Sequence, residues 1–126
     1  MMELPAAVRG AIGEVSLESG ERPIDLVHLA RMTLGDRSLE REVLQLFVRQ
    51  AAVLLDRMEA ADPDSVPALA HTLRGSAQGL GARRVTAAAA AVERAADDDA
   101  LARARASLRA AVEEARSLIT DLLRAH

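Results

Sequence analysis

Apolar residues recur every three or four positions along most of the chain, which is the spacing of one face of an α-helix. We predict a short helix from about residue 24 or 25 to residue 34 and four longer helices, over about 38–61, 66–80, 83–96 and 100–124. Turn-forming residues separate these segments: Gly35, residues 62–64, Gly81 and residues 97–99.

Each predicted helix carries an apolar stripe that we expect to be buried. In chain order the stripes are Leu26, Leu29, Ala30 and Thr33; Leu39, Val43, Leu46, Phe47, Leu54 and Met58; Val66, Leu69, Leu73, Ala77 and Leu80; Val85, Ala88, Ala89 and Val92; and Leu101, Ala104, Leu108, Ala111, Ala115, Leu118 and Leu122. Ser38 and Asp99 are the predicted N-caps of the second and fifth helices. We also expect Arg109 to pair with Glu113, one turn further along the last helix.

The composition indicates the fold class. The chain has 126 residues and one aromatic side chain, Phe47, whereas β-sheets favour aromatic and β-branched residues. Short connections make neighbouring helices antiparallel. We therefore predict an all-α protein, an up-down-up-down antiparallel four-helix bundle over residues 23–126 with a short extra N-terminal helix covering one end. Residues 1–22, which hold Pro5 and Gly10, are expected to form a partly flexible leader.

Several classes of function are disfavoured. The chain has no cysteine, so disulfides, thiol catalysis and zinc–thiolate sites are excluded, and its three histidines are too widely spaced for a metal site. The net charge is -3, so the chain lacks the excess of basic residues that is typical of nucleic-acid-binding proteins. No apolar run approaches the ~20 residues of a membrane span, and the N-terminus does not resemble a signal peptide. We expect a cytoplasmic, stand-alone protein with its own start methionine and no metal, membrane or nucleic-acid partner.

One histidine stands out in the third predicted helix. At about 100° per residue, His71 lies roughly 160° from the centre of the buried stripe and so faces solvent. Gly75 and Gln78 lie beside it, one and two turns on, and Arg74 lies on its flank. A glycine inside a helix costs about 1 kcal/mol relative to alanine. Bare backbone at Gly75 would let another molecule approach the imidazole closely.

Glu93 is a further candidate for the same site. The turn between the third and fourth helices centres near Ala82, with His71 eleven residues before it and Glu93 eleven after. Antiparallel packing then places the two side chains at one height. A carboxylate there could accept the Nδ1 proton and leave Nε2 as the nucleophile. The alternative, a solvated surface glutamate, stays open. His28, on the short first helix, is interpreted as structural.

Residues 71–77, His-Thr-Leu-Arg-Gly-Ser-Ala, followed by Leu-Gly-Ala at 80–82, resemble the signature of histidine-containing phosphotransfer (HPt) domains of bacterial two-component phosphorelays. The resemblance in helix order extends over about residues 22–125 and implies the same bundle. It also implies that His71 is the phosphoacceptor and that Arg74, where the family usually has lysine, steadies the phosphoryl charge. Gly75 would leave room for the partner, and Gln78 would lie on the docking face.

The resemblance further implies the partners. These are receiver domains of response regulators, which would supply the phospho-aspartate and Mg²⁺, and a hybrid or partner histidine kinase. The chain has no ATP-binding loop of the kinase or P-loop type, so we expect a monomeric phosphotransfer intermediate without a cofactor rather than an enzyme. The alternative is a helical adaptor that binds a receiver or kinase without being phosphorylated. A plain dimerisation bundle would leave Gly75 unexplained.

Overall fold

A computed structural model describes residues 23–125 of the protein and folds them into five α-helices and one short 3-10 turn, with no strand among these residues. The helices are α1 (Leu26–Met32), α2 (Arg37–Ala60), α3 (Val66–Leu80), α4 (Arg83–Arg94) and α5 (Asp98–Ala125), and the 3-10 turn is Pro63–Ser65. The all-α prediction is confirmed. The predicted leader, residues 1–22, and His126 lie outside the described residues.

Helices α2 to α5 pack as a four-helix bundle. Each contacts the next along the chain, and α2 also contacts α5, which closes the ring. The Ser76 hydroxyl donates a 2.8 Å hydrogen bond to Gln50 between α3 and α2. The Arg41 guanidinium donates to the Leu123 carbonyl at 2.9 Å between α2 and α5. Since Arg41 lies early in α2 and Leu123 late in α5, these two helices run antiparallel.

The core is aliphatic apart from one ring. Phe47 is buried between helices and contributes about 2–3 kcal/mol by its burial. The other large side chains that are almost completely buried include Ile24, Leu44, Met58, Leu73, Leu108 and Ile119.

Helix α2 turns a different face inward from the one predicted. Leu39 and Leu46, assigned to the core from the sequence, are exposed, while Leu44, Ala51 and Leu55 are buried. The prediction was wrong because apolar residues lie on two adjacent faces of α2. The face that packs is the one that reaches both α3 and α5, and periodicity along one helix does not identify it.

In the other helices the predicted residues are buried or partly buried, and the buried face is rotated only slightly from the predicted one. Ala70 is buried in α3 and Leu69 only partly so, which moves the buried stripe slightly toward Ala70. In α5, Val112 and Ile119 are buried although they were not predicted. The remaining predicted core residues that are only partly buried are Leu26, Ala30, Val43, Ala88, Leu101, Ala104 and Ala111.

Aspartates cap α2 and α5 from outside the helices. The Asp36 carboxylate accepts the backbone N–H of Leu39 at 3.0 Å, and the Asp97 carboxylate accepts the N–H of Ala100 at 2.7 Å. Ser38 and Asp99, the predicted caps, lie inside the first turn instead. A capping side chain accepts from an N–H two or three residues further on, so it must precede the helix.

Two ion pairs of α5 also differ from the predicted one. Arg109 pairs with Glu59 on α2 rather than with Glu113. Glu113 instead accepts hydrogen bonds from the Arg116 guanidinium at 3.0 and 3.1 Å, and this contact lowers the pKa of the Glu113 carboxyl below its ordinary value. The partner of Arg109 comes from another helix, beyond the reach of an argument based on spacing within α5.

The short helix α1 covers one end of the bundle, as predicted, and the structure shows that it is the end where α3 turns into α4. The backbone N–H of Asp25 donates to the Gly81 carbonyl at 2.9 Å, and the Asp25 carboxylate accepts from Arg83 at 3.1 Å. His28 Nε2 lies 3.0 Å from the Gly79 carbonyl, a structural contact that agrees with its interpretation from sequence. These contacts fix the C-terminal end of α3, the helix that carries His71.

Candidate functional site

Helix α3 holds His71 in its second turn, facing away from the core. Pro67 lies in the first turn, where its missing N–H costs nothing, and Gly81 ends the helix in the left-handed conformation with φ of +81°. Ala70 and Leu73, on either side of the histidine in sequence, are completely buried. The His71 side chain is 66% exposed, so it lies on the solvent side as its helical position predicts.

Glu93 on α4 reaches the imidazole. Its Oε1 lies 2.8 Å from His71 Nδ1, and its side chain is only 20% exposed. The structure therefore brings together the two residues that lie at equal distances from the α3–α4 turn. An Nδ1–H that donates to this carboxylate leaves the lone pair on Nε2, which is the arrangement of a nucleophilic imidazole.

Arg74 completes a compact group of three side chains. Its Nη2 lies 2.9 Å from His71 Nδ1, and its Nε lies 2.6 Å from Glu93 Oε2. The Nε–Oε2 contact is a close ion pair without the alignment of a hydrogen bond, and Arg74 Nε is buried with no hydrogen-bond partner. A cation is thus held at the base of the exposed imidazole, close to any anion that approaches it.

Gly75 and Gln78 lie on the same exposed side of α3, one and two turns after the histidine. A Cβ atom added to Gly75 would meet nothing within 4 Å. Packing within the chain therefore does not explain the missing side chain at this position. The structure leaves a bare stretch of helix beside His71, with Gln78 at its far end.

An exposed apolar stripe on α2 was not identified as such from the sequence. It consists of Leu39, Leu46 and Val53, seven residues apart. Gln50, which contacts Ser76 of α3, lies one turn from both Leu46 and Val53, so the stripe lies toward the side of α2 that meets α3. Its seven-residue spacing was visible in the sequence, but two of its members were assigned to the core.

The Hpt domain family profile matches residues 42–125, two thirds of the chain, including His71, Arg74 and Glu93. The chain belongs to the Hpt domain family. Hpt domains are phosphotransfer intermediates of two-component signalling that interact with receiver domains and kinases.

A solved structure supports the fold of this Hpt domain. A crystal structure of a rice protein, named as a candidate histidine-containing phosphotransfer protein, superposes with a TM-score of 0.77 over 96% of each chain. Its sequence is 22% identical, so the likeness concerns the fold alone. No curated protein matches the sequence.

Within residues 23–125, no three histidine, aspartate or glutamate side chains gather in a way that could hold a metal ion. None of the helices described for these residues is long and apolar enough to cross a membrane.

Proposed function

We propose that this Hpt domain protein relays a phosphoryl group between the aspartates of receiver domains, with His71 as the carrier. One observation supports this proposal above the others: an imidazole that is mostly exposed has its Nδ1 within 2.8 Å of a mostly buried carboxylate. A surface histidine with no chemical role gains only a weak surface contact from such an arrangement. A histidine that must attack from Nε2 gains a partner that favours the proton on Nδ1 and orients the ring.

The transfer step follows from these contacts. The Nε2 lone pair of His71 attacks the phosphorus of a receiver's aspartyl phosphate, and the bond from phosphorus to the aspartate oxygen breaks. The electron pair of that bond returns to the aspartate as a carboxylate. The proton on Nδ1 stays hydrogen-bonded to Glu93, which opposes the positive charge that the ring acquires. Transfer to a second receiver is the reverse of this step.

In this scheme Arg74 stabilises the negative charge on the phosphoryl oxygens. Phosphoryl transfer is mainly a matter of positioning and of stabilising charge spread over the transferred oxygens. The guanidinium lies within one turn of His71, is about one-third exposed, and presents several donors in a planar fork. The receiver is expected to bring the Mg²⁺ as well as the phospho-aspartate, so this chain needs no cofactor of its own and no ATP.

The docking surface extends from the histidine to α2. Gly75 allows the receiver to approach the helix backbone, Gln78 offers a hydrogen-bonding side chain, and the exposed stripe with Leu46 and Val53 supplies apolar area beside them. A hybrid or partner histidine kinase would act before this protein in the phosphorelay. We propose that the protein acts as a cytoplasmic monomer in this pathway.

Phosphotransfer with two histidine variants tests the proposal. A receiver domain carrying radiolabelled phosphate is mixed with the wild type, with His71→Gln and with His28→Gln, and a second receiver is then added. The wild type and His28→Gln are expected to take up label and pass it on, because His28 is already engaged with the Gly79 carbonyl. His71→Gln is expected to take up no label.

Two results would contradict the proposal. Label that persists in His71→Gln would place the acceptor elsewhere in the chain. Receivers that bind the wild type without ever labelling it would instead support the alternative, a helical adaptor that recognises receivers through the surface around α2 and α3 and carries no phosphoryl group.

A further inference from the structure

Two side chains compete for one ring nitrogen of His71. Nδ1 lies 2.9 Å from a guanidinium donor, Nη2 of Arg74, and 2.8 Å from a carboxylate acceptor, Oε1 of Glu93. In a neutral imidazole a nitrogen either carries a proton and donates or carries a lone pair and accepts. Only one of the two contacts can therefore be a hydrogen bond at any moment.

The choice between these contacts decides whether His71 can react. If Nδ1 carries the proton, it donates to Glu93, and the lone pair needed for attack is on Nε2. If Arg74 donates to Nδ1, the proton is on Nε2, and that nitrogen has no lone pair to offer. The first tautomer is the nucleophile and the second is not.

Arg74 is held close to Glu93 by charge, but its hydrogen bonding is incomplete. Its Nε is buried without a hydrogen bond although Glu93 Oε2 is 2.6 Å away, so the ion pair leaves one donor of the guanidinium unsatisfied. Buried donors without partners are costly, and charged oxygens are better acceptors for a guanidinium than a neutral ring nitrogen is. Arriving phosphoryl oxygens would be better acceptors for Nη2 than the ring nitrogen and would draw Nη2 away from His71.

We infer that Arg74 is a positioning residue that competes with Glu93 for His71 Nδ1 and thereby sets the tautomer of the histidine. Arg74 favours the tautomer with the proton on Nε2, and Glu93 favours the one with the proton on Nδ1. Interconversion moves one proton between the two nitrogens by way of solvent and changes no net charge. The inference rests on the proposed function for its consequence, since loss of the Arg74 contact is what frees the nucleophile.

Nuclear magnetic resonance on the free, full-length protein tests this inference. Long-range ¹H–¹⁵N correlations of protein with ¹⁵N-labelled histidine report the ratio of the two tautomers, at a pH where the imidazole is neutral. His71→Gln identifies the His71 signals among those of the three histidines. Arg74→Leu removes the competing donor, Glu93→Leu removes the acceptor, and Arg94→Leu removes a charge of the same sign from an exposed position next to Glu93.

We expect the ratio of the Nδ1–H to the Nε2–H tautomer to rise about fivefold in Arg74→Leu and to fall about fivefold in Glu93→Leu. Fivefold is roughly the effect of one hydrogen bond of ordinary net strength. Arg94→Leu should leave the ratio unchanged, and Arg74→Lys, which keeps a cationic donor, should stay closer to the wild type than Arg74→Leu does.

An unchanged ratio in Arg74→Leu would overturn the inference, as would an equal change in Arg94→Leu, which would show a general effect of charge. The backbone amide spectrum of each variant establishes that it remains folded. Because the measurement needs no partner and no phosphate, its failure is distinct from that of the proposed relay. His71 could carry phosphate without Arg74 affecting the tautomer, or the reverse.

Discussion

At the scale of single residues, two glycines near the site differ in how strongly the folded chain requires them. Gly75 has ordinary helical geometry, and an added Cβ would meet nothing. Gly81 has φ of +81°, and an added Cβ would lie 3.1 Å from side-chain atoms of both Asp25 and His28. The fold therefore tolerates a side chain at Gly75. At Gly81 the left-handed turn and the packing of α1 both require glycine.

Alanine substitutions at these glycines are predicted to have effects of opposite sign. Gly75→Ala should stabilise the protein by up to about 1 kcal/mol, because glycine is a poor helix former. Gly81→Ala should destabilise it by about 1–3 kcal/mol, because alanine is strained at positive φ and α1 must shift. Urea unfolding measures both, and Gly79→Ala, whose Cβ also meets nothing, is the control for helix propensity.

The same series separates stability from docking. If the receiver approaches the bare backbone beside His71, Gly75→Leu should remain as stable as the wild type and yet accept phosphate more slowly. A Gly75→Leu variant with unimpaired transfer would remove this glycine from the docking surface. A Gly75→Ala variant less stable than the wild type would show that the position is constrained within the chain.

Residue by residue, the site was predictable where it depends on helical geometry. The outward direction of His71 follows from its position in α3, and its closeness to Glu93 follows from the two equal distances to the α3–α4 turn. The contact of Arg74 with Nδ1 was not predictable. It depends on the rotamer of a long side chain, which no spacing in the sequence determines.

At the scale of helices, the ends and faces were less predictable than the helices themselves. Two residues that could cap α2, Asp36 and Ser38, lie close together, and choosing between them requires the position of the first helical hydrogen bond. In the same way α2 has apolar side chains on two adjacent faces, and its neighbours decide which one is buried.

Capping of α2 gives a direct test at this scale. Asp36→Ala is predicted to destabilise the protein by about 1 kcal/mol, because the N–H of Leu39 loses its acceptor. Ser38→Ala should change the free energy of unfolding by less than half of that, since Ser38 lies within the helix and is exposed. Chemical denaturation of the two variants in parallel provides the comparison, and a larger loss for Ser38→Ala would contradict the assignment of the cap.

At the scale of the whole molecule, the bundle positions the site by holding α3 on two sides and at its C-terminal end. It contacts α2 and α4 along its length, and α1 holds its end through Gly79 and Gly81. The side that remains open carries His71, Gly75 and Gln78. The antiparallel order of α3 and α4 was expected from their short connection, and this order is what brings Glu93 to the imidazole.

If His71 carries the phosphoryl group on Nε2, mapping the phosphorylated atom will show it. The protein is phosphorylated from a receiver domain and kept at alkaline pH. Mass spectrometry then locates the phosphate in the chain, and ³¹P–¹⁵N couplings identify the bonded nitrogen. We expect an acid-labile, base-stable phosphate on Nε2 of His71. Phosphate on Nδ1 or on any other residue would contradict this assignment, because Nδ1 is the nitrogen that faces Glu93.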